Sequence, residues 1–199
     1  MLYLRFMNIA HVLTLLRICI SPLFPILYLE REWFGISLIW LPYILLLLLI
    51  VSEGSDVLDG LLARKRNEVT DLGKVLDPMA DSITHISLFL GFTQGFVSLP
   101  LLLVLVFLYR ELFVTTLRTL CALKGIALAA RFSGKMKTML QALVAFLIII
   151  LMIPYSLGHL SLATFQNISF LAVTVSVAYT IVSVGDYVAA NWAYIKKAF

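Results

Sequence analysis

A chain of 199 residues with a mean hydropathy of +1.03 and only 13% charged residues has too little polar surface for a water-soluble domain, which carries about 25% charge. Its bulk must be solvated by lipid. No polar linker, low-complexity tract or internal repeat divides residues 1–199, so a single membrane domain is expected and the repeat architecture of many transporters is disfavoured.

Six apolar segments, each near the roughly 20 residues that cross a bilayer, run over residues 12–29, 38–62, 73–96, 99–120, 138–156 and 164–190. The fold expected is all-α, a polytopic membrane protein with six transmembrane helices and short connections. Pro22 and Pro25 should kink the first segment, and the stretch from Asn8 to Leu16 can lie in the interface. No signal-peptide pattern opens the chain, so its first segment is expected to be retained. Six spans put both termini on one side. That side holds Arg5, Lys65, Arg66, Lys124, Arg131, Lys135, Lys137, Lys196 and Lys197, while the opposite loops hold only Arg31 between Glu30 and Glu32. Both termini are therefore expected to be cytoplasmic. The net charge of +4 reflects this asymmetry and contact with anionic lipid. Nucleic acid is not an expected partner, because there is no soluble module to bind it.

Seven of the eleven acidic residues fall between Glu53 and Asp81. Asp56 and Asp59 are three apart near the end of the second segment. Asp77 and Asp81 are four apart near the start of the third. Both spacings share a helix face, and the short polar connection predicts that the two helices are antiparallel neighbours with their acidic faces meeting on the cytoplasmic side. Gly60, Ala63 and Arg64 continue the first stripe and Gly73 opens the second, so small residues leave room there for a planar ligand.

An intramembrane charge costs about 2.5–3.5 kcal/mol at mid-bilayer, and four carboxylates also repel one another. One or two divalent cations remove that conflict, and oxygen-only ligands suit Mg²⁺ or Mn²⁺. Such a pair also serves phosphoryl transfer. The plainer alternative is structural pairing with Arg64, Lys65, Arg66 and Lys74. A carboxylate-based ion transporter is the alternative of another class, against which Arg64, a fixed cation beside the acids, argues for an anionic ligand. Near-isosteric replacement of Asp56 or Asp77 by Asn lessens repulsion, so stability is expected to hold or rise.

The pattern Asp56-x2-Asp59-Gly60-x2-Ala63-Arg64-x8-Gly73-x3-Asp77-x3-Asp81 resembles the signature of the CDP-alcohol phosphatidyltransferase family. The resemblance implies a transferase with six transmembrane helices, two divalent ions, CMP as leaving group and a homodimer. The segment from Asn8 to Arg17, Arg110-Glu111 with Arg118, Gly134-Lys135-Met136-Lys137-Thr138 with Gln141, and Asp186-Tyr187 resemble the phosphatidylglycerophosphate synthase branch. That branch implies transfer from CDP-diacylglycerol to glycerol 3-phosphate in a bacterial inner (plasma) membrane. Sister enzymes with other acceptors, such as cardiolipin synthase or phosphatidylserine and phosphatidylinositol phosphate synthases, share the signature. Ser82 stands where relatives usually place Lys after the last Asp, and Val57-Leu58 replaces a Trp-Leu-like pair.

By this resemblance Asp56, Asp59, Asp77 and Asp81 hold the metals. Asp56, Gly60, Ala63, Arg64 and Gly73 receive the CDP-lipid, and Asp81 is the candidate catalytic general base. A phosphorylated acceptor needs cations, for which Arg110, Arg118, Lys135 and Lys137 are candidates. Arg110 has an equal claim to a plain ion pair with Glu111, and Lys135 and Lys137 to topology markers. Arg17 reads as a snorkelling side chain. Cys19 and Cys121 fit no metal or redox spacing, and His11, His85 and His159 are scattered without a role. Trp33, Trp40 and Trp192 mark interfaces. Asp186 either pairs with a base near the site or ends its helix.

Overall fold

The computed structural model describes residues 9–65, 71–126, 128 and 131–198; the side chains of residues 9–11, 59–65, 71–75, 197 and 198 lie outside the described set. Seven α-helices and no strand occur among the described residues: α1 (Ile9–Ile20), α2 (Leu23–Leu29), α3 (Leu41–Lys65), α4 (Asp71–Gly91), α5 (Leu101–Leu123), α6 (Phe132–Ser156) and α7 (Leu162–Ala198). They map onto the six expected segments, with the first broken into α1 and α2 at Ser21 and Pro22. Pro22 has no N–H to continue the ladder, and Ser21 gives both its N–H (3.0 Å) and its hydroxyl (2.8 Å) to the Arg17 carbonyl. Val12–Leu29, Leu41–Leu58, Phe132–Ser156 and Leu162–Lys196 are long and apolar enough to cross a membrane. The helices α4 and α5 reach the length, but every 18-residue stretch of either carries at least three charged side chains, among them Asp77 and Asp81 or Arg110, Glu111 and Arg118. These long apolar helices make the chain a membrane protein.

The helices form a ring in which α1 packs on α3, α3 on α6, α6 on α7, α7 on α5, α5 on α4 and α4 on α1, with α4 also touching α6 across the middle. The apolar core fills one end. It joins Phe24 and Tyr28 of α2, Leu45 and Leu49 of α3, Leu88 and Phe92 of α4, Phe107 of α5, Ile148 and Met152 of α6 and Phe165 and Val173 of α7. The other end, at the C-terminal halves of α3, α5 and α7 and the N-terminal halves of α4 and α6, collects the charge. At 37 residues, α7 is about 55 Å long at 1.5 Å per residue. It exceeds a hydrocarbon core of about 30 Å, so its polar C-terminal turns extend past the membrane, and the helix outruns the expected end near residue 190.

The apolar end is tied by Tyr28. Its hydroxyl accepts the Val97 N–H (2.9 Å) and donates to the Gln94 carbonyl (3.1 Å), while its ring meets Phe92 and Phe96. Between those anchors Gly95 has φ +65°, and a Cβ there would lie 2.8 Å from the Tyr28 hydroxyl oxygen. Gly95→Ala therefore combines a left-handed backbone, costing about 1–2 kcal/mol, with a clash. A lowered thermal midpoint in detergent with unchanged Michaelis constants is the expected result, and an unchanged midpoint would show that the loop relaxes freely.

Among the described residues, α3 and α4 each pack more extensively on α1 than on each other. They meet directly through Glu53 and His85, 3.1 Å apart, while Arg17 of α1 reaches carboxylates on both; the turns beside their short connection lie outside the described residues.

Candidate active site

One turn apart on α1, Thr14 and Arg17 face the groove between α3 and α4. Arg17 is only 3% exposed. A single nitrogen, Nη1, donates to Asp56 Oδ1 at 2.7 Å and to Asp81 Oδ1 at 2.6 Å. The two hydrogens on that nitrogen thus serve carboxylates from two helices. The snorkelling reading of Arg17 is overturned: two charge-assisted bonds hold the guanidinium inside the bundle. The Thr14 hydroxyl donates to Asp77 Oδ1 at 3.0 Å. Behind this row, His85 Nε2 and Glu53 Oε1 lie 3.1 Å apart across α4 and α3. The Ser21 and Thr84 hydroxyls share a 2.7 Å hydrogen bond.

Three of the four predicted carboxylates, Asp56, Asp77 and Asp81, therefore converge on α1. Asp59, Gly60, Ala63 and Arg64 belong to the last turns of α3 and Gly73 to the first of α4, but their surroundings lie outside the described residues. The side chains of Lys65 and Lys74 do as well, and so does Arg66. Among the described residues the partner of Asp56 and Asp81 is Arg17. Among the described residues no three His, Cys, Asp or Glu side chains group tightly enough to hold a metal. The donor chemistry would nonetheless suit a hard cation: the candidate donors are carboxylate oxygens, and those of Asp56 and Asp81 converge on one Arg17 nitrogen.

On the α5 side, Arg110 and Lys137 are buried and both reach Glu111. Arg118 gives its Nε–H to the Tyr187 hydroxyl at 3.2 Å, with its guanidinium carbon 5.4 Å from the ring centroid. Lys135 is exposed on the first turn of α6. Asp186 pairs with a base: Arg131 Nη2 donates to it at 3.0 Å, and the Ser133 hydroxyl donates to its other oxygen. This ties the start of α6 to α7. Sequence reasoning missed Thr14 and missed Glu53 as the partner of His85, and it singled out Ser82 only as a departure from the family pattern. The spacing of three between Thr14 and Arg17 was the available signal, the same one that exposed the carboxylates.

The sequence model of CDP-alcohol phosphatidyltransferase matches residues 7–182. The chain belongs to this family. It is 33% identical over 197 residues to a CDP-diacylglycerol–glycerol-3-phosphate 3-phosphatidyltransferase of Bacillus subtilis, covering 96% of this chain and 98% of that protein. The Escherichia coli K12 protein of the same name is 31% identical over 140 residues, 67% of this chain and 72% of its own. A cardiolipin synthase (CMP-forming) of Streptomyces coelicolor is 42% identical over 108 residues, 54% of this chain and 48% of its own. As a family member the chain is a phosphatidyltransferase of phospholipid synthesis, and the ion-transporter alternative falls.

Proposed function

We propose that this chain transfers the phosphatidyl group of CDP-diacylglycerol to glycerol 3-phosphate, releasing CMP and forming phosphatidylglycerophosphate. The observation that carries this reading is the likeness, along almost the whole chain, to the Bacillus subtilis protein named for that activity. The cations gathered near the carboxylate groove support it.

On this reading Asp56, Asp59, Asp77 and Asp81 hold two Mg²⁺ or Mn²⁺ ions, which when bound neutralise the diphosphate and the departing CMP oxygen. Thr14 orients Asp77, and Arg17 orients Asp56 and Asp81. Gly60, Ala63 and Gly73 leave space for the cytidine end, and Arg64 pairs with the diphosphate. The acceptor hydroxyl oxygen attacks the phosphorus that bears diacylglycerol, and the bond from that phosphorus to CMP breaks with its electron pair leaving on CMP. The hydroxyl proton goes to Asp81 as general base, whose Oδ1 accepts from Arg17. Arg110, Arg118, Lys135 and Lys137 receive the acceptor phosphate.

The reading also places the six segments, α1 with α2 counting as one, across a bacterial inner membrane. Both termini and the site are cytoplasmic, and the enzyme is a homodimer. The lipid tails remain in the bilayer while the head group reaches the charged end of the bundle.

Purified protein given labelled CDP-diacylglycerol and a panel of acceptors tests the assignment. CMP release dependent on glycerol 3-phosphate is expected. Release only with a different alcohol would favour a sister enzyme, the second reading to which the Streptomyces coelicolor likeness gives support. Arg118→Ala should raise the Michaelis constant for glycerol 3-phosphate about tenfold or more, since a hydrogen bond to a charged group contributes about 1.5–3 kcal/mol. The constant for CDP-diacylglycerol should hardly move, and an equal rise in both would reduce Arg118 to a general electrostatic feature.

A further inference from the structure

The transfer chemistry leaves one partly buried carboxylate unused. Glu111 of α5 has a side chain only 17% exposed, and donors from three helices meet on it. Arg110 Nη1 lies 3.1 Å from its Oε1 and 3.2 Å from its Oε2. Lys137 Nζ of α6 donates to Oε1. The Ser82 hydroxyl of α4 lies 3.1 Å from Oε2. That hydroxyl is also 2.9 Å from the Pro78 carbonyl, but its single proton goes preferentially to the charged acceptor. Ser82 adjoins Asp81, so Glu111 links the cations of α5 and α6 to the helix that carries the candidate base. Space for this arrangement depends on Gly134, where a Cβ would lie 3.3 Å from Arg110 Nη2.

Two cations against one carboxylate leave the cluster with a single positive charge, and Arg110 Nε is buried without a hydrogen-bond partner among the described residues. The cluster therefore retains both charge and a donor for an anion. A carboxylate inside an anion site weakens the attraction, so its presence has to be explained by geometry.

We propose that Glu111 is the positioning residue of the acceptor site, holding Arg110 and Lys137 as a fixed pair of cations in register with Asp81 through Ser82. The proposal rests on the reading that the acceptor carries a phosphate. It deepens that reading by naming the group that sets where the phosphate sits.

Charge and position predict opposite signs for Glu111→Gln. If Glu111 only lowers the local charge, the neutral amide should strengthen anion binding. If it positions the cations, the amide should weaken binding, because one carbonyl oxygen cannot hold both donors and the amide N–H₂ points at cations.

The experiment uses purified full-length protein in detergent with saturating CMP, which occupies the nucleotide side. It measures stabilisation by inorganic phosphate in thermal unfolding and, separately, the Michaelis constants of both substrates. Glu111→Gln is expected to lose about tenfold or more in apparent phosphate affinity. It should raise the constant for glycerol 3-phosphate by a similar factor, with that for CDP-diacylglycerol within about twofold, on the scale of one charged hydrogen bond. Ser82→Ala, which removes only the link to α4, should raise the glycerol 3-phosphate constant about threefold, and it carries the test if Glu111→Gln fails to fold. Phosphate binding that is unchanged or tighter in Glu111→Gln overturns the proposal. So does a parallel rise in both constants, an unmoved Ser82→Ala, or a wild type that phosphate does not stabilise. Wild type whose phosphate binding depends on Glu111 but that ignores glycerol 3-phosphate would sink the acceptor assignment and leave the positioning role standing. Normal use of glycerol 3-phosphate by both wild type and Glu111→Gln would do the reverse.

Discussion

Asp77→Asn is expected to cut phosphatidyl transfer by more than about a hundredfold, the scale on which one preorganised electrostatic group acts, and to leave folded stability where it is. Asp56→Asn is expected to reduce both. The difference lies in their partners. Thr14 donates its hydroxyl to Asp77 Oδ1, and an Asn carbonyl accepts that bond nearly as well. Asp56 accepts from Arg17, a buried guanidinium that also serves Asp81. Replacing Asp56 by the amide leaves that cation with one carboxylate fewer. Loss of a charged hydrogen bond costs about 1.5–3 kcal/mol, and weakening one side of a buried ion pair adds to it. Relief of repulsion between Asp56 and Asp81 offsets only part. Carboxylate repulsion taken alone gives the opposite sign, a variant as stable as wild type or more so. Thermal unfolding in detergent with chelator, run beside CMP release, decides between them. A near-normal rate in Asp77→Asn would make that residue structural. An Asp56→Asn midpoint at or above wild type would show that repulsion outweighs the Arg17 bond.

That reversal marks where the sequence stops being legible. Four carboxylates at spacings of three and four declare themselves, because a helix has one way to group such positions and intramembrane acids need a partner. The six apolar segments are readable for the same local reason, and Pro22 announces the break between α1 and α2. Arg17 is different. An arginine in an apolar run looks the same whether it snorkels or is buried, and its partners lie 39 and 64 residues away. The Arg110–Glu111 pair is adjacent and is one of the two readings the sequence offers for Arg110, yet Lys137 and Ser82 join it from 26 and 29 residues away. His85 looked idle because Glu53 reaches it only across α3 and α4. The polar contacts that α1 makes with both α3 and α4 are also invisible locally, since their partners lie far along the chain.

The family signature and the groove geometry answer different questions. The signature points to the residues proposed to serve transfer from a CDP-activated lipid. The geometry shows how an apolar bundle tolerates them. Arg17 bridges two acids from within, Glu111 gathers two bases, and Asp186 fastens the start of α6 to α7 through Arg131 and Ser133. Most of these groups have a partner from another helix, while Arg110 pairs with its neighbour Glu111 on α5, so the charged end is held largely by cross-helix pairs where the other end is held by apolar packing.

Excess EDTA is expected to bring transfer to background, a loss of more than about a hundredfold, with Mg²⁺ or Mn²⁺ restoring it while the protein stays folded throughout. The loss follows from charge. A diphosphate approaching Asp56, Asp77 and Asp81 meets like charge, and Arg17 is a single cation shared between two of them. Retained fold follows from the same residue. Because Arg17 bridges α3 and α4, and Thr14 ties α1 to Asp77, the groove has its own fastening, unlike small domains whose fold depends on a structural metal. CMP release and thermal unfolding would be followed in parallel, before chelation, after it and after metal is added back. Robust turnover in EDTA would sink the metal-dependent mechanism. Unfolding on chelation would show that the α1 contacts do not suffice to hold the carboxylates together, and that the ions carry part of the fold as well as the chemistry.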